Sequence, residues 1–151
     1  MDLREFFSPF AVFLGVFGLA GVLATWLVMV RSWRLLPATV AHHFDLLGRP
    51  DSFGAKRMLW VLPVLAVALY VALLALGLWG CSRRGDVIDR TRLNVETFMG
   101  AIAYGTWMIF FVTRGTIDVA LGRRKDLGRW SCPTILGVLA VLILVGSLRL
   151  R

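Results

Sequence analysis

The sequence predicts an all-α membrane protein of four transmembrane helices, with a structured 27-residue loop between the first and second. Three observations carry that class. Of 151 residues, 58% are hydrophobic and only 17% are charged, whereas a soluble domain carries roughly 25% charged residues. Residues 6–30, 58–82, 97–113 and 130–148 form four runs without any Asp, Glu, Lys or Arg. The runs are continuously apolar instead of alternating, and lipid offers an open backbone no hydrogen-bond partner, so helices are expected in place of barrel strands.

A hydrocarbon layer of about 30 Å, climbed at about 1.5 Å per residue, asks for about 20 helical residues. The runs hold 25, 25, 17 and 19, which places spans at about 8–30, 58–80, 96–114 and 131–149 within a single domain, 1–151. The flanks of the first run, with Arg4 between Asp2 and Glu5, and its apolar reach to Val30 favour a retained span over a cleaved signal. Ala11, Gly15, Gly18 and Thr25 lie close to one stripe of that span, and Ala101 and Gly105 repeat the small-residue spacing in span three. Such stripes let helix backbones approach closely, so both spans are expected to pack there.

Pro63 is predicted to bend the first turns of span two, whereas Pro9 and Pro133 stand near helix starts. Span three reaches only about 25 Å at the same rise. A continuation through loop three, with Ile117 and Leu121 four apart and an end near Gly122, would lengthen it along the membrane. Arg123, Arg124 and Lys125 then face lipid headgroups. Trp33, Trp60, Trp79 and Trp130 fall near span ends as an interfacial belt. Cys81 and Cys132 are predicted at opposite membrane faces, too far apart to pair within one chain.

The net charge of +8 comes from residues near span ends, with no stripe interleaved with aromatics. That distribution suits anionic membrane lipids and argues against a nucleic-acid partner. Ten basic residues flank loops one and three against seven on the other side, which leans toward those loops being cytoplasmic in a multi-pass plasma-membrane protein. None of the four span interiors holds an ionisable group, so the chain by itself is not built as an ion-coupled carrier. No nucleophile motif or glycine-rich phosphate loop occurs, which leaves enzyme activity open but unsupported, and no cofactor is expected.

The informative segment is RSWRLLPATVAHHFDLLGRPDSFGAKR, residues 31–57, which contains both histidines. Pro37 stops a helix, Gly48 admits a left-handed backbone, Pro50–Asp51–Ser52 is predicted as a turn, and Asp51 or Ser52 is expected to cap span two. An ordered hairpin or re-entrant cap is anticipated. His42, His43 and Asp45 are candidate metal ligands, with Asp118 or Asp126 of loop three available on the same side. Adjacent residues on an extended backbone face opposite ways, which favours hydrogen-bonding roles for His43 and Asp51 and an interfacial pairing of Lys56 with a carboxylate or lipid phosphate.

The pattern LP, HF and GRPDSFGAK at 36–37, 43–44 and 48–56 resembles the small domain of unknown function at the start of SdpI-type toxin-immunity membrane proteins. The matching positions are Leu36, Pro37, His43, Phe44, Gly48, Pro50, Asp51, Phe53 and Lys56, within a motif over 35–57; Ala41 and Phe53 replace a Pro and a Trp of that pattern. The resemblance implies a membrane sensing or binding protein, an immunity or signalling accessory factor acting through loop 37–56. Its binding residues would be His43, Phe44, Gly48, Pro50, Asp51 and Lys56, its partner a peptide or protein, and a homo-oligomer is possible. Two alternatives stand beside it: a metal-dependent membrane enzyme using His42 and His43 with loop carboxylates, or a non-catalytic subunit of a larger transporter.

Overall fold

In the computed structural model, which describes residues 8–45, 47–82 and 88–128, the first apolar run folds as helix α1, Pro9–Ser32. Ser8 caps it: its hydroxyl accepts from the Ala11 N–H at 3.1 Å, and Pro9 occupies the first turn, where a missing N–H leaves nothing unsatisfied. An antiparallel hairpin follows, β1 (Thr39–Phe44) and β2 (Pro50–Ala55), then a short 3-10 helix, Lys56–Trp60. Helices α2 (Val61–Ser82) and α3 (Ile88–Ala120) complete the described chain. Three of its helices, in segments Pro9–Ser32, Lys56–Leu78 and Val95–Ala120, are long and apolar enough to cross a bilayer. The chain is a membrane protein with transmembrane helices. The fourth apolar run, with the span expected at 131–149, Trp130 and Cys132, lies outside the described residues.

The fold is mostly helical but not all-α, because the segment between the first two spans contributes a two-stranded sheet. Pro37 and Pro50 bar a helix from either end of that segment, and Thr39 and Val40 favour extended backbone. The turn falls earlier than expected. Asp51 and Ser52 lie inside β2 and cap nothing; the residue ahead of the 3-10 helix is Ala55, which offers no side-chain cap. Pro63 stands in the first turn of α2, fully buried, where its ring displaces no hydrogen bond of the helix interior.

Span three is not short. α3 runs 33 residues, about 50 Å at the standard rise, and ends before Gly122, whose φ of +70° carries the chain out of the helix. The expected continuation through Ile117 is present, and it is packed against the rest of the protein. Ile117 is buried with Met29, Leu36, Val40 and Leu59, so the end of α3 is built into the core beneath the hairpin.

α1 and α3 run parallel, as a steady offset of contacts shows: Ala11 packs with Val95 and Met99, Gly18 faces Ile102 and Ala103, and Gly21 faces Thr106. A Cβ on Gly18 would come within 2.8 Å of Ile102 and one on Gly21 within 2.9 Å of Thr106, so these glycines set the helix separation. α2 runs the other way, with Leu69 over Gly105 and Phe98 beside Gly77. Where the backbones close in, side chains from neighbouring helices reach α1 carbonyls. The Trp107 indole N–H donates to Phe17 O at 3.0 Å and the Tyr70 hydroxyl to Gly15 O at 3.3 Å. At the end remote from the hairpin, the Ser8 hydroxyl donates to Glu96 Oε1 at 2.6 Å. The parallel pair brings the loops that follow α1 and α3 to the same side.

Candidate functional site

At that common side, the hairpin is held at both its root and its tip. Leu36 and Val40 sink into the cluster formed by Met29, Leu59 and Ile117. Lys56 N–H donates to Ala38 O at 3.0 Å, which closes the ladder at the root. At the tip, Asp45 shapes the turn: its Oδ1 accepts from the N–H groups of Leu47 and Arg49, both at 2.8 Å, while Gly48 N–H donates to Asp45 O at 2.9 Å. Gly48, at φ +77°, is buried against the segment that follows α3, and its carbonyl accepts from Leu127 N–H at 2.8 Å.

Across the strands, His43 Nδ1 lies 2.7 Å from Asp51 Oδ1, both side chains exposed, at 68% and 46%. His42 faces the other way. Its ring lies over Gly54 and its Nε2 stands 3.4 Å from Ser52 Oγ. A register shift between Ala41 and His43 leaves His42 without an opposing strand partner. Phe44 is half-buried opposite Pro50, where β2 starts.

Lys56 pairs with no carboxylate among the described residues. Its ammonium lies 4.9 Å from the centre of the Trp33 ring and donates to Leu36 O at 3.4 Å, the latter a long hydrogen bond. Trp33 and Trp26 each pack on Trp60, with ring centres 5.3 and 5.5 Å apart, so two tryptophans of the expected belt, Trp33 and Trp60, form a connected cluster with Trp26 under Lys56. Of the loop-three cations, Arg123 reaches back to Asp118 at 3.6 Å, and the Asp118 carbonyl accepts from the N–H groups of Arg123 and Arg124. Arg124 and Lys125 are exposed.

The structure therefore brings His43 and Asp51 together and joins Gly48 to loop three, while Lys56 stands apart on the tryptophan cluster. It does not gather His42, His43 and Asp45: the two rings are on opposite faces and Asp45 is engaged in the turn. Among the described residues no three His, Cys, Asp or Glu side chains converge on a common point. The residues sequence reasoning missed are Val40, Leu127 and Gly128. Val40 carried a signal as a lone branched apolar residue after Pro37, whereas the docking of Leu127 on Gly48 joins positions 79 apart and has none.

A family model described as a domain of unknown function (DUF1648) matches residues 20–67. That stretch takes in the second half of α1, the hairpin, the 3-10 helix and the start of α2. It covers the anchored hairpin whole and about a third of the chain. Comparison with curated proteins and with solved structures returns no match.

Proposed function

We propose that this chain is a membrane binding or sensing protein that works through loop 37–56, as an immunity or signalling accessory factor resembling the SdpI type. One observation carries the reading: the hairpin is fixed at root and tip by Val40 and by Gly48, yet displays His43, Asp51 and Phe53 to the outside. A fixed scaffold under exposed polar and aromatic groups suits recognition, because little ordering entropy is lost when a partner docks. The match at residues 20–67 supports treating α1, the hairpin and the start of α2 as one functional unit.

The rest of the reading is drawn from the sequence. A fourth helix spans residues 131–149, loops one and three lie on the cytoplasmic side of the plasma membrane, and Arg124 and Lys125 meet lipid headgroups. Replacing His43, Asp51 and Lys56 together by Ala should abolish partner capture by the chain in lipid nanodiscs, while the yield and melting temperature of the bundle stay near wild type. Undiminished capture by the triple variant would sink the proposal.

A further inference from the structure

We infer that the outer edge of β2 accepts an extended acidic peptide as a third strand, an inference that rests on the loop being the recognition surface. The ladder fixes which backbone groups are spare. Ala38 and Lys56 form a hydrogen-bonded pair, and in an antiparallel ladder such pairs alternate with pairs whose N–H and C=O point away. Two steps along, Val40 and Gly54 again face each other, so Phe53 and Ala55 turn their N–H and C=O outward from β1. Helices α1 and α3 pack on the sheet at Val40 of β1, and Met58 of the 3-10 helix lies against Gly54 of β2. Among the described residues no strand lies beyond β2.

A peptide laid there would pair with the backbone of Phe53 and Ala55 and rest a side chain on the Phe53 ring, which is 61% exposed. Charge selects its chemistry. Arg49 precedes β2 and Arg57 follows it, both without a carboxylate partner among the ion pairs of the described residues, whereas Asp51 is already paired with His43. An acidic strand complements both ends of the edge. A second copy of the chain does not: antiparallel pairing centred on Phe53 would set Arg49 of one copy opposite Arg57 of the other, a like-charge contact at each end.

The test uses the full chain in phosphatidylcholine nanodiscs and a fluorescein-labelled octapeptide of alternating Glu and Val, read by fluorescence anisotropy. Saturable binding is expected, at least tenfold tighter than for a matching octapeptide of alternating Lys and Val. It should weaken at least tenfold when two consecutive central residues of the probe are N-methylated, so that neither peptide edge can pair. The Arg49→Glu/Arg57→Glu variant should reverse the preference between the two peptides. Absence of saturable binding, equal binding of the methylated probe, or dimerisation through Phe53 in place of peptide binding would each overturn the strand-addition reading. Probe binding that ignores methylation but vanishes in the His43, Asp51 and Lys56 triple variant would leave the recognition loop standing without strand addition. Binding unaffected by either change would remove both.

Discussion

At Gly48 two constraints coincide, a backbone that must be left-handed and a neighbour that leaves no room for a side chain. A Cβ there would stand 3.0 Å from Gly128 O and 3.4 Å from Leu127. The left-handed conformation alone costs an L-residue about 1–2 kcal/mol. Gly48→Ala should therefore lower stability by at least that amount and free loop three from the hairpin tip, seen as a reduced melting temperature in detergent and faster amide exchange at Leu127. Gly48→Asn, which tolerates the conformation but not the contact, should fall between the two. Gly48 was legible in the sequence as a left-handed position, and the turn chemistry of Asp45 was not, because a local Asx turn competes with the more familiar Pro50–Asp51–Ser52 signal. Lys56 was expected to pair with a carboxylate or a lipid phosphate, and the partners the fold gives it are an indole face and a carbonyl. No pattern of charges in sequence announces such a pairing.

At the level of elements, the helix pair α1 and α3 depends on small residues in register. Gly18→Ala would press a methyl within 2.8 Å of Ile102 and 3.3 Å of the Ala103 backbone, and should destabilise the bundle by about 1–3 kcal/mol. Gly100→Ala meets nothing within 4 Å and should leave the melting temperature unchanged; equal effects of the two substitutions would contradict the packing. Ser8 joins both helices at their other end, capping α1 while donating to Glu96. Ser8→Ala should cost about 1–2 kcal/mol in the same measurement, from the lost cap together with the hydrogen bond to a charged acceptor. The small-residue stripe was visible in the sequence, since it follows helical periodicity. Its partner was not, because a stripe states that something approaches closely without saying which helix.

For the whole molecule, the parallel course of α1 and α3 puts the hairpin and the segment after α3 on one side, and the end of α2, with Cys81 in its last turn, on the other. Cys132 follows Gly128 by four positions. In sealed vesicles of uniform orientation, a membrane-impermeant maleimide should label the two cysteines from opposite faces, as single-cysteine variants show most simply. Labelling of both from the same face would contradict the proposed arrangement of spans. The side on which Cys132 is labelled also tests the expectation, drawn from the ten-to-seven division of basic residues, that the hairpin faces the cytoplasm.

Membrane residence, the three described spans and the special character of the segment around Gly48 were determined by composition and hydropathy, because the bilayer imposes length and polarity on each span separately. Parallel pairing of α1 with α3, burial of Ile117 beneath the hairpin, and the meeting of His43 with Asp51 were decided by tertiary structure alone. Each depends on which surfaces come into contact, and in lipid, where apolar faces are equally content against tails or helices, close backbone approach and specific hydrogen bonds settle that choice.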